Sequence, residues 1–538
     1  MHSFRRSSTI PRGRSTPPSH PFDLSYMFTS KIIPFENATS LLAGEKAAGK
    51  RIVQCHGTFD LVHPGHIYHL EEAKALGDIL VVTITAERFV NKGPGRPFFN
   101  DQLRSKTLSS LACVDYVVVI PFAAAVEAIE CVRPDIYCKG TEYADPENDV
   151  MGNIGDDVKT VEKVGGQVRY IGSVVFSSTR LLNRHFDHVA PAIKEFCMTV
   201  AQEYPPERFR EVVDGFRDIK VLVIGDVIFD RYCYVKVQGL TSKNRMLSGR
   251  YLTCDNQAGG SLAVYRHIAQ FCDKVDLIAL AGADEWTTTE IAKFLPETSN
   301  RVVTDPSFTT VIKERFVEPV SEGKEMSKLF SVNFIDEGPP EQALIDRLAE
   351  RISGCIAEYD IVVVTDFGHG VMTEKIRRLV EEKAPFLAVN CQTNSNNHGF
   401  NIINHQYRRM DCFSLDDQEL MLSAARRHVD HVRELDRLRR QFYATYAWLT
   451  RGAIETIGIR EGSAPCSILP FEAVVTDTIG AGDAFYSVAA LAAFRKLPVE
   501  LTTLMGQLAG AQAVCCVGNS EPISKEKLVK SGMTMLNF

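Results

Sequence analysis

The sequence predicts an α/β protein of two domains, and three observations support this prediction. The chain has 538 residues, too many for one ordinary domain. Its 45% hydrophobic and 24% charged residues are typical of packed globular proteins. Apolar runs alternate with helical periodicity twice along the chain, as in parallel sheets covered by helices. We therefore expect a disordered tail over 1–30, domains over 31–190 and 218–538, and a helical linker over 191–217.

Composition excludes several classes of function. The formal net charge of −7 argues against a general binder of nucleic acid or anionic membranes. No apolar run reaches the roughly 18–20 residues that a membrane helix needs. The 14 cysteines form no CxxC pair, which indicates reduced thiols in a cytoplasmic protein. Residues 1–22 are rich in arginine, serine and proline, which predicts disorder, although they loosely resemble an organelle transit peptide.

The first domain is predicted from five β-rich runs with helical segments between them. The strands are KRIVQC, DILVVTIT, VDYVVVI, DIYCK and QVRYIG, and the helical segments include IYHLEEAKALG and NDQLRSKTLSSLA. After the first strand comes HGTFDLVHPGHIYHL, which places His63 and His66 at a helix N-terminus. Unpaired N–H groups and the positive end of the helix dipole attract anions there. This favours a phosphate site.

Two other interpretations of these histidines compete with a phosphate site. His63, His66 and His69 form HxxHxxH, which could indicate a metal site. On a helix, however, offsets of three and six residues spread the side chains over about 240°, so they do not share one face. A chance surface placement is the third possibility. We predict phosphate binding and no metal site.

The stretch G-T-F-D-x-x-H-x-G-H, with SSTR at 177–180, resembles the nucleotidyltransferase superfamily of cytidylyl- and adenylyltransferases. The resemblance implies a Rossmann-like fold in which His63 and His66 stabilise the α-phosphorus under in-line attack, with Mg²⁺ on the triphosphate. It assigns further residues to three groups: Lys92 to catalysis; Gly57, Thr58, Phe59, Ser178, Thr179 and Arg180 to nucleotide binding; and Asp60 and Lys139 to substrate binding.

The second domain begins at KVLVIGDVIFDRY and continues through KVDLIAL, YDIVVVTD, FLAVN and AWLTRG. Near its end, DTIGAGDAF opens an apolar helix. The N–H groups of Gly480, Ala481 and Gly482 would form an anion hole for a transferring phosphoryl group. Asp483 lies where it can accept the proton of an attacking hydroxyl. The structural alternative for Asp483 is a helix N-cap.

This stretch resembles the signature of the ribokinase family of carbohydrate kinases, as does GDVIFDRY at 225–232. The resemblance implies a three-layer α/β domain with a small β lid, which 233–255 and 313–319 could form. It assigns the following residues: Asp230, Gly259 and Gly260 to the sugar, and Arg451 and Gly452 to the nucleotide.

Together the two halves resemble the bifunctional heptose-phosphate kinase and heptose-1-phosphate adenylyltransferase enzymes of ADP-heptose synthesis. Three departures stand out. The order of the halves is reversed, Ala263 stands where those enzymes carry asparagine, and NCQTNSNNHGFN (390–401) replaces an Asp-Pro-Lys strand end. The asparagine-rich run is either a loop or a reader of sugar hydroxyls.

The resemblance implies an enzyme that phosphorylates a sugar and joins a sugar 1-phosphate to a nucleotide. Its substrates would be a sugar phosphate and ATP, with CTP open for the transferase. Mg²⁺, a monovalent cation near DTIGAGD and a homodimer through the lid are also implied, with no nucleic-acid or membrane partner. One alternative keeps the transferase but makes the kinase half a non-catalytic sugar-binding or dimerisation module. A flavin-type enzyme is discounted because its kinase is a small β-barrel.

Overall fold

The chain divides into two compact units. A computed structural model describes residues 31–90, 96–141, 154–172, 190–319, 326–336, 338–394, 396–397, 399–471 and 475–537. The first unit holds the described residues up to 89 and from 99 to 172, and the second holds the others. Within the described part of the chain, none of the helices has the length and apolar character needed to cross a membrane.

A six-stranded sheet forms the centre of the first unit. Its strands are β1 Ile32–Ile33, β2 Ile52–Gly57, β3 Ile79–Thr85, β4 Tyr116–Ile120, β5 Ile136–Gly140 and β6 Gln167–Ile171. Its helices are α1 Phe35–Ala47, α2 Pro64–Lys74, α3 Asp101–Ser109, α4 Val126–Val132 and α5 Ile154–Lys163, with a 3₁₀ turn at Glu87–Phe89. The five predicted strands and both predicted helical segments are confirmed.

Strand order in this sheet determines where a ligand can bind. The order is β1-β4-β3-β2-β5-β6, and every pair is parallel. The chain moves outward from β2 through β3 to β4, and then returns to β5 on the other side of β2. Ligands of open parallel sheets bind outside the carboxyl ends of the strands at such a reversal. The loops after β2 and β5 meet that condition.

Helices pack on both faces of the sheet because alternate strand residues point to opposite sides. On one face, Leu70 and Ala73 of α2 join Val53 and Leu80 in an apolar cluster. On the other face, α1 packs its apolar side against the sheet. The start of α2 is therefore fixed by the core beneath it.

The second unit contains a large eight-stranded sheet, a small four-stranded sheet and a separate pair of strands. Its strands are β7 Lys220–Gly225, β8 Val227–Leu240, β9 Leu247–Gly259, β10 Lys274–Ile278, β11 Leu280–Gly282, β12 Val303–Asp305, β13 Val311–Glu318, β14 Ser327–Phe334, β15 Ile361–Asp366, β16 Leu387–Cys391, β17 Cys412–Asp416, β18 Tyr446–Thr450, β19 Thr456–Arg460 and β20 Cys466–Ile468. The separate pair is β11 and β12.

Helices surround the large sheet of this unit. They are α6 Pro191–Glu203, α7 Pro206–Asp214, α8 Gly260–Ile268, α9 Glu285–Phe294, α10 Gln342–Cys355, α11 Glu374–Lys383, α12 Ile403–Gln406, α13 Asp417–Ala424, α14 His431–Gln441, α15 Ala481–Phe494, α16 Val499–Ala513 and α17 Lys525–Met535, with 3₁₀ turns at Glu297–Ser299 and Ile356–Glu358.

The large sheet has the order β10-β7-β15-β16-β17-β18-β19-β20 and is parallel from β10 to β18. Its strand order reverses between β7 and β15, so the carboxyl ends of these strands form the expected ligand edge. The small sheet, β14-β13-β8-β9, forms a lid. The predicted segments 233–255 and 313–319 fall in β8, β9 and β13, whereas β14 was not predicted. The predicted fold class, two α/β domains of which the second has a β lid, is confirmed.

The predicted linker region consists of α6 and α7, which belong to the second unit. Phe209 of α7 packs against α17 so closely that a Cβ added to Gly532 would lie 2.2 Å from its ring. Lys525 of α17 forms a 2.8 Å ion pair with Asp214. The domain boundaries proposed from the sequence, including 191–217 as a linker, stay a prediction.

Candidate active sites

The first candidate site lies at the carboxyl end of β2. This strand ends at Gly57, and α2 begins at Pro64 with His63 as an N-cap residue of extended conformation. Proline suits the first helical position because its missing N–H has no partner within the helix there. The rings of His63 and His66 stack with centroids 4.0 Å apart and an interplanar angle of 20°. The fold thus brings the two predicted imidazoles together at a helix N-terminus.

The protonation state of His63 follows from its surroundings. The residue is buried, and burial lowers the pKa of its imidazole. A lowered pKa keeps the ring neutral at pH 7, so it offers one N–H donor instead of a full positive charge. The ring of Phe59 packs 5.2 Å from that of His66 and fixes its position. Two oriented imidazoles beside a helix N-terminus suit the oxygens of a phosphate.

The turn between β2 and α2 is held by Arg104 of α3 and by Phe99, which precedes α3. The buried Arg104 guanidinium donates a hydrogen bond to the Thr58 carbonyl oxygen at 2.7 Å. The Phe99 N–H donates to Asp60 Oδ1 at 3.0 Å. Phe59 has a φ of 47°, a conformation that non-glycine residues adopt at some cost in energy. These contacts fix the predicted nucleotide-binding turn.

Lys139 lies near the end of β5, at the strand-order reversal. Its ammonium forms a 2.9 Å ion pair with the buried Asp157 of α5, so the lysine predicted to bind substrate is anchored by a carboxylate. The remaining predicted residues of this site lie outside the part of the chain that the structure describes: Lys92, Ser178, Thr179 and Arg180.

The second candidate site lies at the start of α15. Gly480 is the N-cap, with a φ of 85°, and Ala481 and Gly482 open the helix. A Cβ on Gly480 would lie 2.1 Å from Asn519 Oδ1, so both its conformation and its surroundings require glycine. The first N–H groups of a helix have no acceptor within it. The predicted anion hole is therefore at a helix N-terminus that can receive a phosphoryl group.

Asp483 is the third residue of α15 and is buried. The pKa of its carboxyl is raised to about 7, mainly by burial, and the negative charge of Asp230 contributes to this rise. A hydrogen bond from Gln392 Nε2 to Asp483 Oδ1, 2.8 Å long, and the charge of Lys313 act in the opposite direction. A carboxyl with a pKa near the working pH is suited to accept a proton from a hydroxyl.

Asp230 lies on β8 of the lid and is paired with the Arg315 guanidinium of the neighbouring β13. The adjacent glycines are required by close packing. A Cβ on Gly259 would lie 2.4 Å from Asp230 Oδ2, and one on Gly260 would lie 2.5 Å from the Asp226 carbonyl oxygen. The predicted sugar-binding residues therefore form one cluster at the base of the lid.

Arg451 and Gly452 follow β18 at the carboxyl edge of the large sheet. The Arg451 guanidinium forms a 2.5 Å ion pair with Glu455, and Gly452 has a φ of 53°. The turn that carries these two residues is thus held by an ion pair from the same loop. Their predicted role at the nucleotide stays a prediction.

Three residues of the second site were not singled out in the sequence: Lys313 and Arg315 lay only within the predicted lid segment 313–319, and Gln392 only within the asparagine-rich run 390–401. Lys313 and Arg315 alternate on β13, so both point to the face that carries Asp230. Gln392 follows β16 and reaches the carboxyl of Asp483. The sequence contains a pattern that could have indicated them. Lys313 and Arg315 form a Lys-x-Arg pair in a strand pattern, and Gln392 is a polar residue directly after a buried parallel strand.

The described residues include no group of three or more His, Cys, Asp or Glu side chains that could hold a metal ion. The expectation that Mg²⁺ is held through the triphosphate stays a prediction.

One family model matches the N-terminal part of the chain. Residues 55–198 match the family described as cytidylyltransferase-like. The predicted resemblance of this half to nucleotidyltransferases is confirmed. The matched range contains the histidine pair, the turn that follows β2 and Lys139.

Curated relatives match the same part of the chain. The bifunctional protein HldE of Syntrophotalea carbinolica is 39% identical over 165 residues, which cover 29% of this chain and 32% of that protein. HldE of Koribacter versatilis is 36% identical over 180 residues, covering 31% of this chain and 36% of that protein. The chain spans about a third of the length of these relatives.

Solved structures align with a longer part of the chain at low identity. Phosphofructokinase-2 from Escherichia coli in complex with substrates and products has 15% identity and a TM-score of 0.47, covering 58% of this chain and 98% of that chain. Ribokinase from Thermotoga maritima has 13% identity and a TM-score of 0.45, covering 58% of this chain and 98% of that chain.

Proposed function

We propose that the chain is a bifunctional enzyme that builds a nucleotide-activated sugar. The second unit phosphorylates the anomeric hydroxyl of a sugar, heptose 7-phosphate, with ATP. The first unit transfers a nucleotidyl group from an NTP, ATP, to a sugar 1-phosphate and releases pyrophosphate. The observation that carries the proposal is the presence of two separate helix N-termini, one beside paired imidazoles and one beside a buried carboxyl, both suited to phosphate.

In the kinase reaction, Asp483 accepts the proton of the anomeric hydroxyl. The sugar oxygen bonds to the γ-phosphorus, the bond from that phosphorus to the bridging oxygen breaks, and ADP leaves. The N–H groups at the start of α15 stabilise the charge on the transferring group. Asp230 and the neighbouring glycines hold the sugar. Gly452 and Arg451 lie on the nucleotide side.

In the transferase reaction, an oxygen of the sugar 1-phosphate bonds to the α-phosphorus of the NTP and pyrophosphate leaves. His63 and His66 stabilise the charge that develops on the α-phosphoryl oxygens. Gly57, Thr58 and Phe59 bind the nucleotide. The other assignments are Lys92, Ser178, Thr179 and Arg180 to the β- and γ-phosphates, and Asp60 and Lys139 to the sugar phosphate. Mg²⁺ bound with the triphosphate would supply further charge neutralisation.

The remaining partners are also proposals. A homodimer would form through the lid, whose apolar side chains include Tyr251, exposed to 63%, and Phe330, exposed to 54%. The fourteen cysteines are free thiols, which fits a reducing compartment such as the cytoplasm. A monovalent cation near DTIGAGD would lie close to Asp477. The Oδ1 of Asp477 forms a 2.6 Å ion pair with Lys328 Nζ.

The alternative is a transferase whose second unit binds sugar or dimerises without catalysis. The departures that suggested it are Ala263 and Asn390. Ala263 is buried within α8. Asn390 accepts a hydrogen bond from the same Gln392 amide that contacts Asp483, so this departure is linked to the proposed base. That link supports the catalytic proposal.

The test measures each reaction separately on the full chain. Pyrophosphate release is followed with ATP or CTP and a panel of sugar 1-phosphates, and ADP formation with ATP and a panel of sugars that includes heptose 7-phosphate. The proposal predicts ATP-dependent pyrophosphate release with heptose 1-phosphate, lost in His66→Ala and kept in Tyr68→Ala on the exposed side of α2. Release only with CTP, or only with another sugar, would reassign the substrates. The absence of both reactions across the panels would reject the enzyme.

A further inference from the structure

The strand end that replaces Asp-Pro-Lys contacts the proposed base of the kinase unit. Asn390 and Cys391 are the last residues of β16, and Gln392 follows them. Gln392 Nε2 lies 2.6 Å from Asn390 Oδ1 and 2.8 Å from Asp483 Oδ1. One side-chain amide nitrogen therefore contacts both the end of its own strand and the carboxyl at the start of α15.

The direction of each hydrogen bond follows from a backbone carbonyl. Asn390 Nδ2 lies 3.3 Å from the Ser414 carbonyl oxygen. Because a carbonyl oxygen only accepts, Asn390 must turn its amino group toward Ser414 and its oxygen toward Gln392. Gln392 must then turn its amino group toward Asn390. The second hydrogen of that group points to Asp483, so Asp483 Oδ1 receives a donor.

We propose that Gln392, oriented by Asn390, is a positioning residue that holds Asp483 ionised with one carboxylate oxygen engaged and the other available to the sugar hydroxyl. The inference rests on the proposed kinase function. It gives Asn390 and Gln392, which lie where the heptose enzymes have a different strand end, a role in proton transfer. Neither residue touches the reacting atoms in this role, since both act through Asp483.

The surroundings of Asp483 explain why such a donor is needed. The carboxyl is buried, and Asp230 adds a second negative charge. Both effects favour the protonated form, which cannot accept a proton. Glu419, a buried carboxyl whose Oε1 accepts a 3.0 Å hydrogen bond from the Thr393 N–H, lies next to the same strand end. The donors that oppose protonation are Gln392 and, through its charge, Lys313.

Three variants separate positioning from general packing. Gln392→Leu removes the donor at similar size, Gln392→Lys restores a donor and adds a positive charge, and Gln441→Leu makes the same Gln-to-Leu change on an exposed position of α14. We expect the acid limb of the kinase kcat–pH profile to move to higher pH in Gln392→Leu and to lower pH in Gln392→Lys. Gln441→Leu should match the wild type. Pyrophosphate release by the first unit should be unchanged in all three.

A second readout does not depend on kinase activity. A carboxyl whose folded pKa is raised contributes stability that is fully present below its unfolded pKa and is lost as pH rises through the folded pKa. The unfolding free energy of wild type minus that of Asp483→Asn should therefore fall as pH rises from about 4, the pKa of an unfolded aspartate, to about 7. Above that pH it should level off. The same difference measured in the Gln392→Leu background should level off at higher pH.

The outcomes distinguish the two claims. A wild type without ADP formation would reject the kinase, and the unfolding measurement would still decide whether Gln392 acts on Asp483. An active wild type whose pH profile and unfolding plateau are both unchanged in Gln392→Leu would overturn the positioning role. A lower kcat with no change in either pH dependence would also overturn it, because a packing defect alone explains that result.

Discussion

At the scale of single residues, two imidazoles and one carboxyl carry the proposed chemistry, and burial determines the state of two of the three groups. Burial lowers the pKa of His63 and raises that of Asp483 to about 7. In both cases the protein disfavours the charged form. His63 is thereby prepared to donate a hydrogen bond, and Asp483 to accept a proton near neutral pH.

The state of Asp483 leads to a pH prediction for the kinase. Its carboxylate is the form that accepts the hydroxyl proton, so the rate should rise as pH increases through about 7 and level off above it. Asp483→Asn should lower kcat by about 10²–10⁴-fold. Steady-state ADP formation between pH 5.5 and 9 checks both. An acid limb near the ordinary aspartate pKa of about 4 would contradict the assignment.

The state of His63 leads to a prediction for the transferase. A neutral imidazole donates an N–H, which a glutamine side chain can partly replace. His63→Ala should lower kcat by about 10²–10³-fold, as for the loss of a transition-state donor. His63→Gln should retain a measurable part of the activity. Pyrophosphate release at saturating substrates is the measurement, and equal loss in both variants would mean that positive charge is required.

At the scale of secondary-structure elements, both sites use the start of a helix that follows a buried strand or a glycine turn. α2 begins at Pro64 after a turn held by Arg104, and α15 begins after Gly480. Each helix is fixed by its apolar face, so its N-terminal N–H groups are in place before a ligand arrives. Such preorganisation avoids a cost of reordering during the reaction.

The glycines of α15 provide a matched stability test. Gly480→Ala places a Cβ 2.1 Å from Asn519 in a residue with a φ of 85°, whereas a Cβ on Gly482 meets nothing within 4 Å. Gly480→Ala should lower the free energy of unfolding by about 1–3 kcal/mol. Gly482→Ala should leave it nearly unchanged. Denaturant unfolding of both variants checks this, and equal stability would mean that the turn relaxes freely.

Most strands and helices could be predicted from the sequence. Apolar runs such as DILVVTIT became strands because a buried parallel strand needs apolar residues on both faces. The run KVLVIGDVIFDRY was less predictable, because β7 and β8 belong to different sheets. The break occurs at Asp226, whose carboxylate accepts N–H groups of Phe367 and Val371. Those partners are some 140 residues away, and local sequence carries no sign of them.

The candidate sites were predicted where a motif is contiguous and missed where the site is assembled from distant strands. His63 and His66 lie three residues apart in one motif. Arg315 meets Asp230 only because β13 pairs with β8. Gln392 meets Asp483 because both lie at the carboxyl edge of one sheet. Pairing between separate strands depends on tertiary packing, which periodicity does not specify.

At the scale of the whole molecule, the proposed function joins two reactions in one chain. The proposed kinase reaction makes an anomeric phosphate, and the proposed transferase reaction uses such a phosphate as its nucleophile. If the sugar carries a second phosphate, a phosphatase is required between the two steps. His63 and His66 lie in the first unit and Asp483 lies in the second, so changing these residues should affect the two proposed reactions separately.

Phosphorus NMR of both reactions with wild type, His66→Ala and Asp483→Asn tests whether the two activities are separate. His66→Ala should lose pyrophosphate formation but still convert ATP and heptose 7-phosphate to ADP and a sugar bisphosphate. Asp483→Asn should show the opposite pattern. Loss of both reactions in either folded variant, or of neither, would contradict the assignment of one reaction to each unit.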